Sequence, residues 1–215
     1  MIVRAAIFDL DGTIIDSEEQ WGKAYSKVFK SLGADVNENE SHIFGASVEY
    51  NLKNQISKHN IKTAKTIEEL ETQTFIEFQK LISEITLNDG VIPLMENLRE
   101  SGVPLALATS TNWDRADRIL KEFDLANFFE DVTTVEEIVN PKPAPDIYLV
   151  AAEKLGVDES DCLVFEDSPS GVTAAKEAGM KVIAIDPTGE NKELESADLV
   201  IGQFSEATPQ AIAEL

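Results

Sequence analysis

Val3-Arg4-Ala5-Ala6-Ile7-Phe8-Asp9-Leu10-Asp11-Gly12-Thr13 carries an apolar run that stops at a carboxylate. A continuous run of this kind suits a strand buried on both faces, as in a parallel sheet covered by helices. In extended backbone, residues two apart project to the same side, so Asp9 and Asp11 can face one pocket. Gly12 then permits a sharp turn away from the strand. Two carboxylates so placed can divide a reaction, one attacking phosphorus and the other moving protons. Asp and Gly also favour plain turns, so the stretch has to be weighed with the rest of the chain.

Outward from this strand the period changes. Trp21, Tyr25, Val28, Phe29 and Leu32 form a helical stripe ending at Gly33. Residues 35–62 are polar with scattered apolar anchors and suggest shorter helices. A further stripe runs through Ile67, Leu70, Phe75, Phe78, Leu81, Ile82 and Ile85. No strand is expected between Ser17 and Leu87, so residues 16–87 read as a small helical unit inserted after the first strand. From Asp89-Gly90 onward, helices alternate with strands at 104–108, near 128–132, at 162–165, at 181–185 and at 197–201. The expected fold is therefore α/β, a Rossmann-like doubly wound parallel sheet built from residues 1–15 and 88–215.

The chain has 215 residues, with 43% hydrophobic and 27% charged, the profile of an ordinary globular protein. Its formal charge is 18 − 40 = −22. Such a surface repels the backbone of nucleic acid and, at long range, any phosphorylated small molecule. A phosphate site here needs strong local positive charge. Residues 1–8 are too short for a secretory leader, and no apolar run approaches a membrane span, so no membrane partner is expected. The single cysteine, Cys162, fits a reducing cytoplasm. With only His42 and His59 present, a zinc cluster or a serine–histidine triad is a poor starting point.

Polar residues fall where the strands end. Asp9 and Asp11, Thr109 and Ser110, and Glu166 and Asp167 follow three expected strands, and Lys142 sits after a fourth. In an open parallel sheet these ends share one edge, where ligands bind. Magnesium prefers oxygen ligands and keeps waters beside a few carboxylates. Asp9, the Asp11 carbonyl and Asp167 make a plausible set, with Glu166 a direct or outer ligand. Thr109 or Ser110 could donate to a phosphoryl group beside a helix start, and Asn112 lies in the same segment. Lys142, in Asn140-Pro-Lys-Pro-Ala-Pro-Asp146, could offset charge on nucleophile and phosphate. Each feature has a plain alternative: an acidic loop, an N-cap, a solvated lysine. All of those would have to coincide in order and at equivalent strand ends.

These residues resemble the haloacid dehalogenase-like hydrolase superfamily, in the branch with β-phosphoglucomutase and small sugar phosphatases. Asp9-x-Asp11-Gly12-Thr13, Leu105-Ala-Leu-Ala-Thr109-Ser110, Lys142-Pro-x-Pro-Asp146 and Glu166-Asp167-Ser-x-x-Gly171 match its four motifs. The resemblance implies Asp9 as nucleophile, Asp11 as acid/base, Thr109 as phosphoryl-binding hydroxyl and Lys142 as charge stabiliser. It also implies Mg2+ on Asp9, Asp11 and the Glu166–Asp167 pair. Residues 16–87 become a helical cap with hinges near 15–17 and 87–90.

Two features depart from the mutases. Trp21 stands where they carry a cap histidine, and Phe44-Gly45-Ala46-Ser47-Val48 lacks their phosphate-gripping cations. The expected activity is a magnesium-dependent phosphatase acting through an aspartyl-phosphate on a small phosphorylated metabolite, as a monomer. Trp21, with Gly12, Ser110 and Asn112, is a candidate substrate contact. The alternatives are a phosphosugar mutase and, in another class, a non-catalytic phosphate-binding regulatory module.

Overall fold

The first apolar run forms β1 (Ala5–Phe8), with every residue buried. In this computed structural model, which describes residues 3–43 and 46–215, it is followed by β2 (Ile15–Asp16), α1 (Glu18–Ser31), α2 (Val48–Lys58), α3 (Ile67–Gln79), β3 (Thr86–Leu87) and α4 (Val91–Glu100). Then come β4 (Leu105–Thr109), α5 (Trp113–Glu122), β5 (Asp131–Thr134), α6 (Asp146–Leu155), β6 (Cys162–Glu166), α7 (Pro169–Glu177), β7 (Lys181–Ile185), β8 (Leu199–Ile201) and α8 (Pro209–Ala213). Phe44 and Gly45, part of the loop compared with the mutases, lie outside the described residues.

Six strands make one parallel sheet in the order β5-β4-β1-β6-β7-β8. The chain steps outward from β1 to β4 and β5, then returns to the other side of β1 for β6, β7 and β8. The order therefore reverses at β1, and the crevice at such a reversal is where open α/β sheets bind ligands. Register follows from burial on both faces: Ile7 pairs with Ala106 and Val164, and Phe8 with Leu107 and Phe165. Ile147, Tyr148 and Ala151 of α6, with Val172 and Ala175 of α7, share a core with Ala5, Ile7, Ala106 and Val164. Phe8 stacks on Phe165 with ring centroids 4.6 Å apart, and Phe165 meets Phe204 at 6.0 Å.

The chain divides into two compact units, Met1–Ile15 with Leu87–Leu215, and Asp16–Thr86. Within the second unit, α1 turns Trp21, Tyr25, Val28 and Phe29 inward, and α3 supplies Leu70 and Phe78. The first expected stripe is thus a helix up to its cap at Leu32, and the second is helical only as far as Phe78: α3 ends at Gln79, so Leu81, Ile82 and Ile85 lie beyond it. A Thr66–Glu69 capping box starts α3, satisfying two otherwise orphaned backbone donors. One expectation fails: Thr86–Leu87 is a strand, paired with Ile15–Asp16 in a separate two-stranded sheet. Two residues are too few to show a period, so nothing in the local pattern announces it.

The stacked pair at the centre of the sheet gives a direct test. Phe165→Ala leaves a cavity under Phe8 and Phe204 and should cost about 3–5 kcal/mol, read as a lower urea midpoint at unchanged slope.

Candidate active site

The ladder of β1 runs one residue past the strand, because the Asp9 amide donates to the Phe165 carbonyl at 3.0 Å. That bond fixes Asp9 at the carboxyl end of the central strand. Beyond it the chain turns through Gly12, at φ +83°, where a side chain would be strained. Asn88 holds the turn: its side chain donates to the Gly12 and Thr13 carbonyls, each at 2.7 Å, and its amide donates to the Ile14 carbonyl at 2.9 Å.

Lys142 organises the carboxylates. Its Nζ donates to Asp9 Oδ1 at 2.6 Å and Glu166 Oε1 at 2.7 Å, and lies 4.9 Å from the centre of the Tyr148 ring. The loop that carries it is closed by Asp146, whose Oδ2 accepts from the Asn140 amide at 3.0 Å and from its side chain at 3.2 Å. The lysine and Glu166 side chains are 5% and 1% exposed, so this is a buried pair, and neither charge could stay there unpartnered. Glu166 is satisfied on both oxygens. Oε1 accepts from Lys142 and from the Tyr148 hydroxyl at 2.9 Å, and Oε2 accepts from the Asp167 amide, the Ser168 amide and Ser168 Oγ.

Burial and charge act differently on each group. Burial pushes the Asp9 carboxyl up, Lys142 pulls it back and the Glu166 charge adds to the rise, leaving it at about 7. Asp167 is driven well above the usual carboxylate range, by burial first and then by the charges of Glu166 and Asp9. Glu166 ends below its ordinary value: burial raises it, but the Lys142 charge and the hydrogen bonds from Lys142, Ser168 and Tyr148 outweigh that. Lys142 rises well above an ordinary lysine, since Asp9 and Glu166 overcome the burial that would discharge it.

Of the other expected residues, Thr109 is buried at the end of β4, and its Oγ1 accepts from the Thr111 amide at 3.1 Å. A hydroxyl that accepts this way can still donate its proton to a phosphoryl oxygen. Ser110 is exposed beside it. Asn112 behaves as a cap: its Oδ1 accepts from the Arg115 amide at the start of α5. Trp21, expected to meet substrate, is 7% exposed. Its ring stacks on Phe78 at 4.2 Å and meets the Phe75 edge at 6.0 Å, so it belongs to the apolar interior of its own unit.

The pattern of haloacid dehalogenase-like hydrolases matches residues 3–179. The chain belongs to that family. It is 34% identical over 183 residues to a phosphorylated carbohydrates phosphatase of Thermotoga maritima, covering 84% of each chain. It is 30% identical over 222 residues to the β-phosphoglucomutase of Bacillus subtilis, covering 99% of this chain and 95% of that one. Among solved structures, CbbY of Rhodobacter sphaeroides in complex with phosphate superposes with a TM-score of 0.86 at 25% identity, covering 99% and 100% of the two chains.

Hydrolases of this family imply a magnesium ion, and the carboxylates can be tested for it. Asp167 Oδ1 accepts from Thr13 Oγ1 at 2.8 Å, but its Oδ2 is buried with no protein donor among the described residues. Lys142 pairs with Asp9 and Glu166, and Asp167 is a third buried carboxylate that feels their charges, so the cluster carries excess negative charge when all three are ionised. Both facts suit a hard divalent cation. Among the described residues no three His, Cys, Asp or Glu side chains converge on one metal position; magnesium needs no such cage, since one or two carboxylates plus waters suffice. Asp9 and Asp167 fit. Glu166 does not fit as a direct ligand, because five donors already occupy its oxygens, and the Asp11 side chain is paired with Arg115.

Sequence reasoning passed over Tyr148, Asn88 and Arg115, and it quoted Thr13 in the first motif without giving it a role. Arg115 had a visible signal: it shares the buried face of α5 with Ala116, Ile119 and Leu120, and a charge among apolar neighbours calls for a partner.

Gly171 explains the spacing of the fourth motif. A Cβ there would lie 1.6 Å from Glu166 Oε1 and 1.9 Å from its Cδ. Gly171→Ala should therefore displace Glu166 and unseat Lys142. The expected result is a loss of at least about 1–3 kcal/mol in urea unfolding, with turnover falling more than stability alone explains at a temperature where the variant stays folded.

Proposed function

We propose that this hydrolase is a phosphatase that cleaves a small phosphomonoester, a sugar phosphate first among them, through a phosphoryl group carried briefly on Asp9. The observation that supports it most is the buried Lys142 bridge. It fixes one oxygen of Asp9 beside a positive charge, at the strand end where the sheet order reverses.

With Oδ1 gripped, Oδ2 attacks phosphorus. The bond from phosphorus to the leaving oxygen breaks, and that oxygen takes a proton from the Asp11 carboxyl. Water then gives a proton back to Asp11 and attacks the phosphorus on Asp9; the bond to Asp9 breaks and inorganic phosphate leaves. Thr109 donates to a phosphoryl oxygen, and Lys142 offsets charge as it moves onto Asp9. Asp9, Asp167 and the Asp11 carbonyl would hold Mg2+, whose chemistry is to neutralise phosphoryl charge. Substrate choice is assigned to the helical unit, as a cap. Relatives named for carbohydrate and hexitol phosphates support the sugar class.

The deciding experiment incubates the protein with β-glucose 1-phosphate, magnesium and glucose 1,6-bisphosphate as primer. Free phosphate and glucose should appear without glucose 6-phosphate; its rapid accumulation would favour the mutase. Asp9→Asn should lower phosphate release by about a thousandfold or more, and full activity in that variant would sink the mechanism.

A second test needs no turnover. Asp9 holds its proton up to about pH 7 in the metal-free fold, whereas an unfolded aspartate loses it near its ordinary value of 3.8. Between those values the folded state binds more protons, so metal-free stability falls as pH rises. Magnesium competes with that proton. Its addition should raise the melting midpoint more at pH 8 than at pH 6, and Asp167→Asn should shrink the rise at both.

A further inference from the structure

Arg115 sits in the first turn of α5, only 4% exposed. A cation is poorly placed there, since the free amides of a helix start already carry partial positive charge. Burial of its guanidinium adds a desolvation cost. Its partners lie toward the chemistry. One nitrogen donates to Asp11, 104 residues earlier in the chain, and the other to Thr111 Oγ1 at 2.5 Å. The Thr111 amide in turn donates to Thr109 Oγ1 at 3.1 Å. One chain of hydrogen bonds thus runs from the phosphoryl-binding threonine to the acid/base, joining the ends of β4 and β1.

We propose that Arg115 is a positioning residue for Asp11, holding its carboxyl group in register with the phosphoryl-binding segment so that the proton the group carries reaches the leaving oxygen. The inference rests on the phosphatase reading. Asp11 lies on a turn next to Gly12 and is a quarter exposed, so its side chain needs an external hold. A guanidinium supplies two directed contacts from one rigid plane, which a lysine ammonium does not.

Because the effect acts through Asp11, it should depend on how much the leaving group needs a proton. The probes are phenyl phosphate and 2,4-dinitrophenyl phosphate, close in shape but very different in leaving-group basicity. In the full chain with magnesium, Arg115→Met should lower kcat/KM for phenyl phosphate by about 10- to 100-fold, a partial loss of general acid catalysis. For dinitrophenyl phosphate the loss should stay within about threefold on the same reasoning. Arg115→Lys should fall between. In an Asp11→Asn background, adding Arg115→Met should cost nothing more on phenyl phosphate.

Equal losses on both esters would overturn the proposal, since a guanidinium that binds phosphate or props up the fold affects them alike. An additive double variant, or no loss at all, would also overturn it. If Arg115→Met loses its cooperative melt, Arg115→Lys is judged by the same two criteria. A wild-type chain that releases phosphate from neither ester removes the phosphatase reading and this inference with it. Wild-type turnover with a uniform loss removes the inference alone.

Discussion

The buried ammonium of Lys142 between Asp9 and Glu166 is the interaction on which the remaining architecture depends. Removing the lysine would strand the buried Asp9 and Glu166 carboxylates without their shared cation, in a site nearly closed to water, which costs several kcal/mol. The surroundings are arranged to keep the trio together. Tyr148 covers the ammonium with its ring and donates its hydroxyl to Glu166. The start of α7 adds two amides and a hydroxyl to the same carboxylate. Glycine at 171 leaves the volume that Glu166 fills. Glu166 thereby becomes the fixed anion against which Lys142 is aimed.

That bridge also explains why the sheet is ordered as it is. Asp9, Lys142 and Glu166 are separated by 133 and 24 residues, and parallel strands bring such distant segments together only at a shared edge. With β4 and β6 flanking β1, Thr109 and the acidic pair reach Asp9 from opposite sides. Against a net charge of −22, two cations are buried at the site: Lys142 against two carboxylates and Arg115 against a third. The wide surface field and the site field therefore have different sources, and only the site field acts at close range.

Much of this was legible in the chain. Apolar runs ending in polar residues located the strands, because buried parallel strands carry little else, and the polar endings marked the edge. What stayed hidden had no local signature. The Thr86–Leu87 strand is shorter than any period. Trp21 read as a candidate substrate contact because one sequence does not reveal that Phe75 and Phe78, more than fifty residues later, pack against it. The sequence left Glu166 open as a direct or outer ligand, because the five donors that fill its oxygens come into view only in the fold. Asn88, through three hydrogen bonds, and Thr13, through one, act across the fold, which no pattern of neighbours encodes.

The two aspartates of the first motif differ by one intervening leucine, yet they receive different cations, and the difference matches the work assigned to them. Asp9 takes a lysine, a compact charge shared with Glu166, which steadies one oxygen and leaves the other to the reacting centre. Asp11 takes an arginine, whose planar fork constrains direction as well as distance. Asp9 is the more deeply buried, at 10% side-chain exposure against 25% for Asp11. A nucleophile gains from exclusion of water, whereas a group that passes protons to and from water must keep contact with it. Environments that separate two like side chains in this way are how one motif supports two roles. Here the separation is set by residues 133 and 104 positions away, so the proposed division of labour belongs to the fold rather than to the motif.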